Sequence, residues 1–156
     1  MSITPVEARE RYSVGDPMLV CDSVADLIEA HPAQHEQSIW AWESTSCGTQ
    51  ACVAGWVGIL HDDCHIKMFN EALVAEDNNT DTPYYAWIQR QVGRLGITAQ
   101  AGDRLFGTAD EDMTLMLLRE ISKFHANSGG ELLDAAHLSD MQSTIYEREG
   151  MMWDGC

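Results

Sequence analysis

Basic residues are scarce in this chain. Nine Lys and Arg stand against 25 Asp and Glu, for a formal charge of −16. Binding to a nucleic-acid backbone requires clustered cations that displace counterions, and no such cluster occurs along the sequence. An anionic membrane surface is disfavoured for the same reason. Long apolar runs are also missing: none approaches the ~20 residues that cross a bilayer. Internal repeats, low-complexity blocks and long linkers are absent. The stretch from Met1 to Arg11 is polar and mixed in charge, unlike a secretory signal. The cysteines, Cys21, Cys47, Cys52, Cys64 and Cys156, are odd in number. Reduced thiols are therefore the default. These absences lead to the expectation of a soluble cytoplasmic protein.

What is present suits one compact core. The chain has 156 residues, 45% of them hydrophobic, too many for a disordered segment. Val24, Leu27 and Ile28 recur at helical spacing behind Asp22 or Ser23 as N-cap, and Pro32 closes that helix near His31. Trp40 and Trp42 alternate with Ile39 and Ala41, which fits a short strand or extended arm with both indoles on one face. Thr49 can cap a helix from Gln50 to about Leu60 that is apolar around nearly its whole circumference, so it should be central. Gly55 and Gly58 weaken it and admit a close neighbour. Met68–Val74 fits helix or strand. Glu76–Thr82 reads as an acidic loop.

Pro83 opens a helix through Tyr84, Trp87, Ile88, Gln91, Val92 and Leu95, stopped at Gly96. Thr98 caps the next, with Ala101, Leu105 and Phe106 inward and Gly107 at its end. Asp110 or Asp112 starts a longer one carrying Met113, Met116, Leu117, Glu120, Ile121 and Phe124, broken by Ser128-Gly129-Gly130. A last helix spans Glu131 to about Tyr146, with Leu132, Leu133, Ala136 and Met141 inward. The expected fold is mainly α: a single compact helical domain of five to seven helices over residues 1–150, with room for one small β-hairpin. Residues 151–156 are expected to form a flexible tail.

Cys47, Cys52, His61, Cys64 and His65 form the one metal-like grouping in the sequence. Zinc takes four such ligands in a tetrahedron, but the first two cysteines are separated by four residues and no second paired knuckle follows. Packing thiols are the favoured reading; a zinc- or thiol-dependent enzyme centred on Cys47 and Cys52 is the alternative. Cys47 ahead of a helix start has the placement of an activated thiolate, with His65, His125 or His137 as the candidate base. Gln91–Phe106 has the rhythm of a helix-turn-helix, with Arg90, Arg94 and Arg104 nearby. Asp103 and the overall charge oppose DNA, so a packed helical pair is the better reading. The segment Asp77–Asp81 lacks the glycine and distal glutamate of a calcium loop. Trp40, Trp42 and Trp87 are expected in the core.

Three segments, HPAQHEQSIW, CGTQACVAGW and LGITAQAGDRLF, carry a resemblance. Their order resembles a group of small bacteriophage and actinobacterial proteins. Those share Cys-Gly-Thr-x-x-Cys-x-x-Gly-Trp/His, followed by an element that opens Leu-Gly-[hydrophobic]-[Ser/Thr] and closes Leu-Phe. The match spans about His31 to Phe106, and the C-terminal third has no counterpart. The resemblance transfers no catalytic residue and no cofactor. It implies context: a phage or prophage accessory protein of the kind that binds and redirects a host protein.

Charge and context lead to one functional expectation. The chain is read as a non-enzymatic binding protein with no cofactor, docking on a host protein with a basic surface; mimicry of DNA is a special case. The candidate contact residues are the acidic groups Asp62, Asp63, Glu76, Asp77, Asp110, Glu111 and Asp112. To these is added the apolar tip Met151, Met152 and Trp153. A small DNA-binding regulator is the further alternative.

Overall fold

Proline and short polar side chains set where this chain first becomes helical. In the computed structural model, which describes residues 3–12, 15–35, 41–44, 48–62, 65–69, 72–76, 84–108 and 110–150, Pro5 opens helix α1 (Pro5–Tyr12). The Thr4 hydroxyl accepts the Glu7 amide there at 3.1 Å. Ala8 is the one buried residue of this helix, so hydrophobic periodicity gives no sign of it. Asp16 caps a 3₁₀ turn, Pro17–Leu19, by accepting the Met18 amide at 3.0 Å. That turn runs directly into α2 (Val20–Ala30). Asp22 and Ser23 are therefore interior to α2 and do not cap it, because the Asp16-Pro17 pair starts the helical run earlier. Val24, Leu27 and Ile28 are buried and His31 ends the helix, as their spacing and Pro32 predict.

Strands β1 (Ala41–Ser44) and β2 (Gly48–Ala51) pair antiparallel, with Trp42 opposite Gln50 and Glu43 opposite Thr49. The backbone at Thr49–Ala51 is thus strand, and helix α3 (Val53–Leu60) begins behind Cys52, not behind Thr49. The ladder with β1 competes for those backbone groups and wins. Strands β3 (His65–Phe69) and β4 (Ala72–Glu76) settle the ambiguous Met68–Val74 segment as a hairpin. The two hairpins join through Ala41 and Leu73 into one sheet of order β2-β1-β4-β3. The expectation left room for one small hairpin; among the described residues two are present in a mainly α domain.

The helices that follow are α4 (Tyr84–Leu95), α5 (Ala99–Phe106), α6 (Glu111–Ser128) and α7 (Ala135–Glu149). Their ends obey local rules. Gly96 takes φ +69°, and Gly129 takes φ +73° at the end of α6, the left-handed region that glycine enters without a Cβ penalty. Asp110 caps α6 through the Met113 amide at 3.0 Å. Thr98 caps α5 through the Ala101 amide at 3.2 Å. Thr98→Ala is expected to cost about 1 kcal/mol, measured as a shift in the urea midpoint at unchanged slope.

The last helix starts at Ala135 behind Asp134, four residues later than its periodicity predicts. Leu133 forms a parallel bridge with Ile97, in which the Thr98 amide donates to Leu133 O at 2.9 Å and the Leu133 amide to Gly96 O at 3.1 Å. An extended backbone points neighbours to opposite sides. Leu133 is consequently buried, Leu132 is 65% exposed, and Ala136 also faces water. Leu138, Gln142 and Ile145 supply the buried face of α7 instead.

The core is centred on α3, all eight of whose residues are buried. Helices α1, α2 and α4 pack around it; α2 also packs on α6, and α7 on α5 and α6. Gln34 clasps the N-terminal segment, its amide group bonding the Ile3 N–H at 2.6 Å and the Ile3 carbonyl at 2.9 Å. Trp40, residues 77–83 and the tail 151–156 lie outside the described residues, and of Trp42 and Trp87 only the backbone is described.

Candidate functional site

Acidic side chains on α2 recur at Asp22, Asp26 and Glu29, a spacing that stacks them along one side of a helix. Like charges four residues apart repel by a few tenths of a kcal/mol, so the arrangement calls for a counter-ion. Arg119 of α6 is that ion. It reaches Asp22 at 3.0 Å, Asp26 at 2.8 Å and Glu29 at 2.6 Å. Partial burial works against the Arg119 charge, but the hydrogen bonds it donates to Glu29, Asp26 and Asp22 outweigh this and hold the guanidinium pKa above its usual value.

One cation cannot balance three anions, and the carboxylates stay 43%, 58% and 63% exposed. Exposed pairs of this kind are each worth no more than about 1 kcal/mol. The network therefore orients the acids more than it stabilises the fold.

The acidic side continues along α6. Gly130, beyond the end of α6, lies against Met18, just before α2. Arg119, further back in α6, meets α2 itself. The two helices are thus antiparallel, and Glu29 points toward the start of α6. Asp112 is seven residues from Arg119, hence on the same side and about 10 Å along the axis. Asp110, Glu111 and Asp112 are all exposed. Two acidic sets, Asp22, Asp26 and Glu29 around Arg119 and the predicted Asp110–Asp112 cluster at the start of α6, make up this α2–α6 ridge, with the half-buried Leu115 and Met116 between them on α6. Asp22, Asp26 and Glu29 were missed; their spacing was visible, but the reach of Arg119 was not.

The other predicted contact residues fall elsewhere. Asp62 follows α3 with φ 54° and sits 3.7 Å from Arg9 of α1. Glu76 closes β4 opposite His65, with only its backbone described. Asp63, Asp77, Met151, Met152 and Trp153 lie outside the described residues.

The thiols that are described are structural in setting. Burial pushes the Cys52 thiol up to about 11, against the pull of backbone hydrogen bonds from Gly55 and Ala54. Burial, then the neighbouring Asp22 charge, push Cys21 up to about 12. The Cys21 Sγ lies 3.7 Å from Leu95 O. Cys47 and Cys64 lie outside the described residues, and His65 is described by its backbone alone. Among the described residues, no three His, Cys, Asp or Glu side chains are grouped to hold a metal ion.

Two of the three candidate bases have packing tasks. His125 is buried with Nε2 at 2.9 Å from Gly96 O, inside the α4–α5 turn. His137 places Nδ1 at 3.0 Å from Asp134 Oδ1. Hydrogen bonds from the His137 backbone and ring hold the Asp134 carboxyl below its ordinary range.

The α4–α5 pair is tightly packed. A Cβ at Gly102 would lie 2.5 Å from Val92 Cγ2, so only glycine lets the helices approach this closely. Arg104 donates to Gln142 of α7 at 3.1 Å, while Arg90 and Arg94 face a cleft beside Pro17. Of the three arginines in the helix-turn-helix reading, Arg104 is thereby held on α7, apart from Arg90 and Arg94 at the cleft. Comparison with protein-family models, with curated proteins and with solved structures finds no match for the chain.

Proposed function

We propose that this protein is a non-enzymatic binding protein, an accessory of phage or prophage origin, that docks its acidic α2–α6 ridge on a basic surface of a host protein. One observation carries the reading: Asp22, Asp26 and Glu29 are gathered exposed around the single cation Arg119. Ordering three flexible carboxylates in advance reduces the entropy lost on docking. A basic partner would take over the charge that Arg119 leaves unbalanced, and complementary potentials would speed its approach. A surface that ordinarily holds DNA is one such partner. The tip Met151, Met152 and Trp153 is proposed as an additional, apolar anchor for the partner. Among the described residues no helix is long and apolar enough to cross a membrane. The proposed setting is the host cytoplasm.

The test compares the tagged wild-type chain with an Asp22→Asn/Asp26→Asn/Glu29→Gln variant, in capture from host lysate followed by titration of the purified partner. The expected result is a specific basic protein, bound about tenfold more weakly by the variant, a difference of about 1.4 kcal/mol. Added salt should narrow the gap, since exposed charges are screened over about 10 Å at 0.1 M. Recovery of no specific protein, or equal binding by the variant, overturns the proposal.

A further inference from the structure

Leu19 stands immediately before α2, three positions ahead of Asp22 and seven ahead of Asp26. That spacing sets it on the same side as Asp22, Asp26 and Glu29, one turn beyond the acidic row. It is 47% exposed. A second leucine comes to the same end of the α2–α6 pair. The Met18 sulfur lies 3.6 Å from where a Cβ on Gly130 would stand, and Leu132, 65% exposed, follows two residues on. The fold imposes that exposure: Leu133 is tied to Ile97, and the extended backbone turns Leu132 outward. Among the described residues the exposed large hydrophobic side chains are Val6, Leu19 and Leu132, so two of the three stand where the acidic row begins.

A lone exposed leucine is ordinary, but an apolar end joined to an ordered acidic row has a defined complement. Three carboxylates stand against one guanidinium in the row, so what covers it is cationic. At the leucine end the same occupant must be apolar. A helix laid beside α2 repeats its rise per residue and meets Leu19, Asp22, Asp26 and Glu29 in step. An extended segment rises more than twice as far per residue and falls out of step with them. We propose that a basic amphipathic helix of the partner lies along α2, its apolar residue on Leu19 and Leu132 and its lysines or arginines on Asp22, Asp26 and Glu29. The inference rests on the docking role proposed for the ridge; it adds the form of the partner and the contact that fixes its register. Charges alone would let such a helix slip by a turn, whereas the leucines give it one alignment.

Labelled helical peptides of about 20 residues are titrated with the full chain and followed by fluorescence anisotropy. One carries a leucine and three lysines at the spacing of Leu19, Asp22, Asp26 and Glu29. A second carries them in reverse order, since the helix can lie in either direction. In the control for each, serine replaces the leucine. One leucine peptide should bind at least about tenfold more tightly than its control. Leu19→Ser/Leu132→Ser should bind the two alike; both side chains are exposed and serine is a favoured N-cap, so this variant should melt no lower than wild type. Asp22→Asn/Asp26→Asn/Glu29→Gln should weaken every peptide. Equal binding of leucine and control peptides by wild type, or a preference for leucine that Leu19→Ser/Leu132→Ser retains, overturns the inference and leaves charge-driven docking standing. Undiminished binding of the control peptides by Asp22→Asn/Asp26→Asn/Glu29→Gln overturns the ridge as the docking surface, and the inference with it. Absence of saturable binding by either leucine peptide overturns the inference. So does sedimentation that shows self-association of the wild type abolished in Leu19→Ser/Leu132→Ser, which would seat a second copy of this chain on the leucines.

Discussion

Replacing Trp56 with alanine is expected to destabilise the protein by roughly 3–5 kcal/mol, the cost of deleting a large buried aromatic and leaving a cavity. Trp56 is fully buried in α3, the helix around which α1, α2 and α4 pack. Collapse around the vacancy is opposed because every residue of α3 is already enclosed. The indole Nε1–H also donates to Gln34 O at 3.0 Å, and Gln34 in turn holds Ile3. Losing the indole leaves that buried carbonyl without this donor, which adds to the penalty. Stabilities of single domains run about 5–15 kcal/mol, so the alanine variant should be largely unfolded at moderate urea. Trp56→Phe retains most of the volume and should lose less. Equilibrium urea unfolding by circular dichroism measures both; a loss below about 1 kcal/mol for Trp56→Ala is incompatible with a central α3.

Alkaline pH should destabilise the fold through its two described thiols. Both pKa values are raised in the folded state, Cys21 to about 12 and Cys52 to about 11, from the ordinary thiol value of 9.0. Burial favours the neutral thiol, so its stabilising effect is complete below pH 9, where folded and unfolded thiols are both protonated. As pH rises past 9, the unfolded chain releases these protons while the folded one keeps them. Stability then falls until the folded pKa values are passed. At pH 10.5 the expected loss is roughly 2 kcal/mol for each thiol.

Urea midpoints of the wild type and of Cys21→Ala/Cys52→Ala, at pH 8 and pH 10.5, isolate this effect. The wild type should lose more than the double variant between the two pH values. Both thiols should resist iodoacetamide at pH 7.5 until urea unfolds the chain. Fast alkylation of Cys52 in the native protein would falsify the packing role and revive thiol chemistry at that helix start.

The helices between Tyr84 and Ser128 were legible because their signals are local. Thr98 and Asp110 bond amides three residues ahead, and Gly96 and Gly129 occupy backbone regions that other residues enter at a cost. Such preferences are settled within one turn. The misplaced elements depended on remote partners. Residues Thr49–Ala51 can start a helix in isolation, but β1 claims their hydrogen bonds. Leu132 and Leu133 were both expected inward, but Leu132 faces water because Ile97 pairs with Leu133 and the backbone there is extended. α1 carries too little apolar surface for periodicity to register, and it is held by α3 and by its capping Thr4.

From residues alone, the chain's acidity, the caps Thr98 and Asp110 and the interior character of the Val53–Leu60 stretch were decided, since charge, local capping and hydrophobic burial act on side chains wherever the chain goes. Tertiary structure alone decided that Arg119 closes on acids about 90 positions away, that two hairpins fuse into a sheet, and that Arg90, Arg94 and His61 share one cavity. Each of these joins groups whose separation along the chain exceeds the reach of any local preference. They form only when burial of the common core, which includes α3, brings the distant segments together.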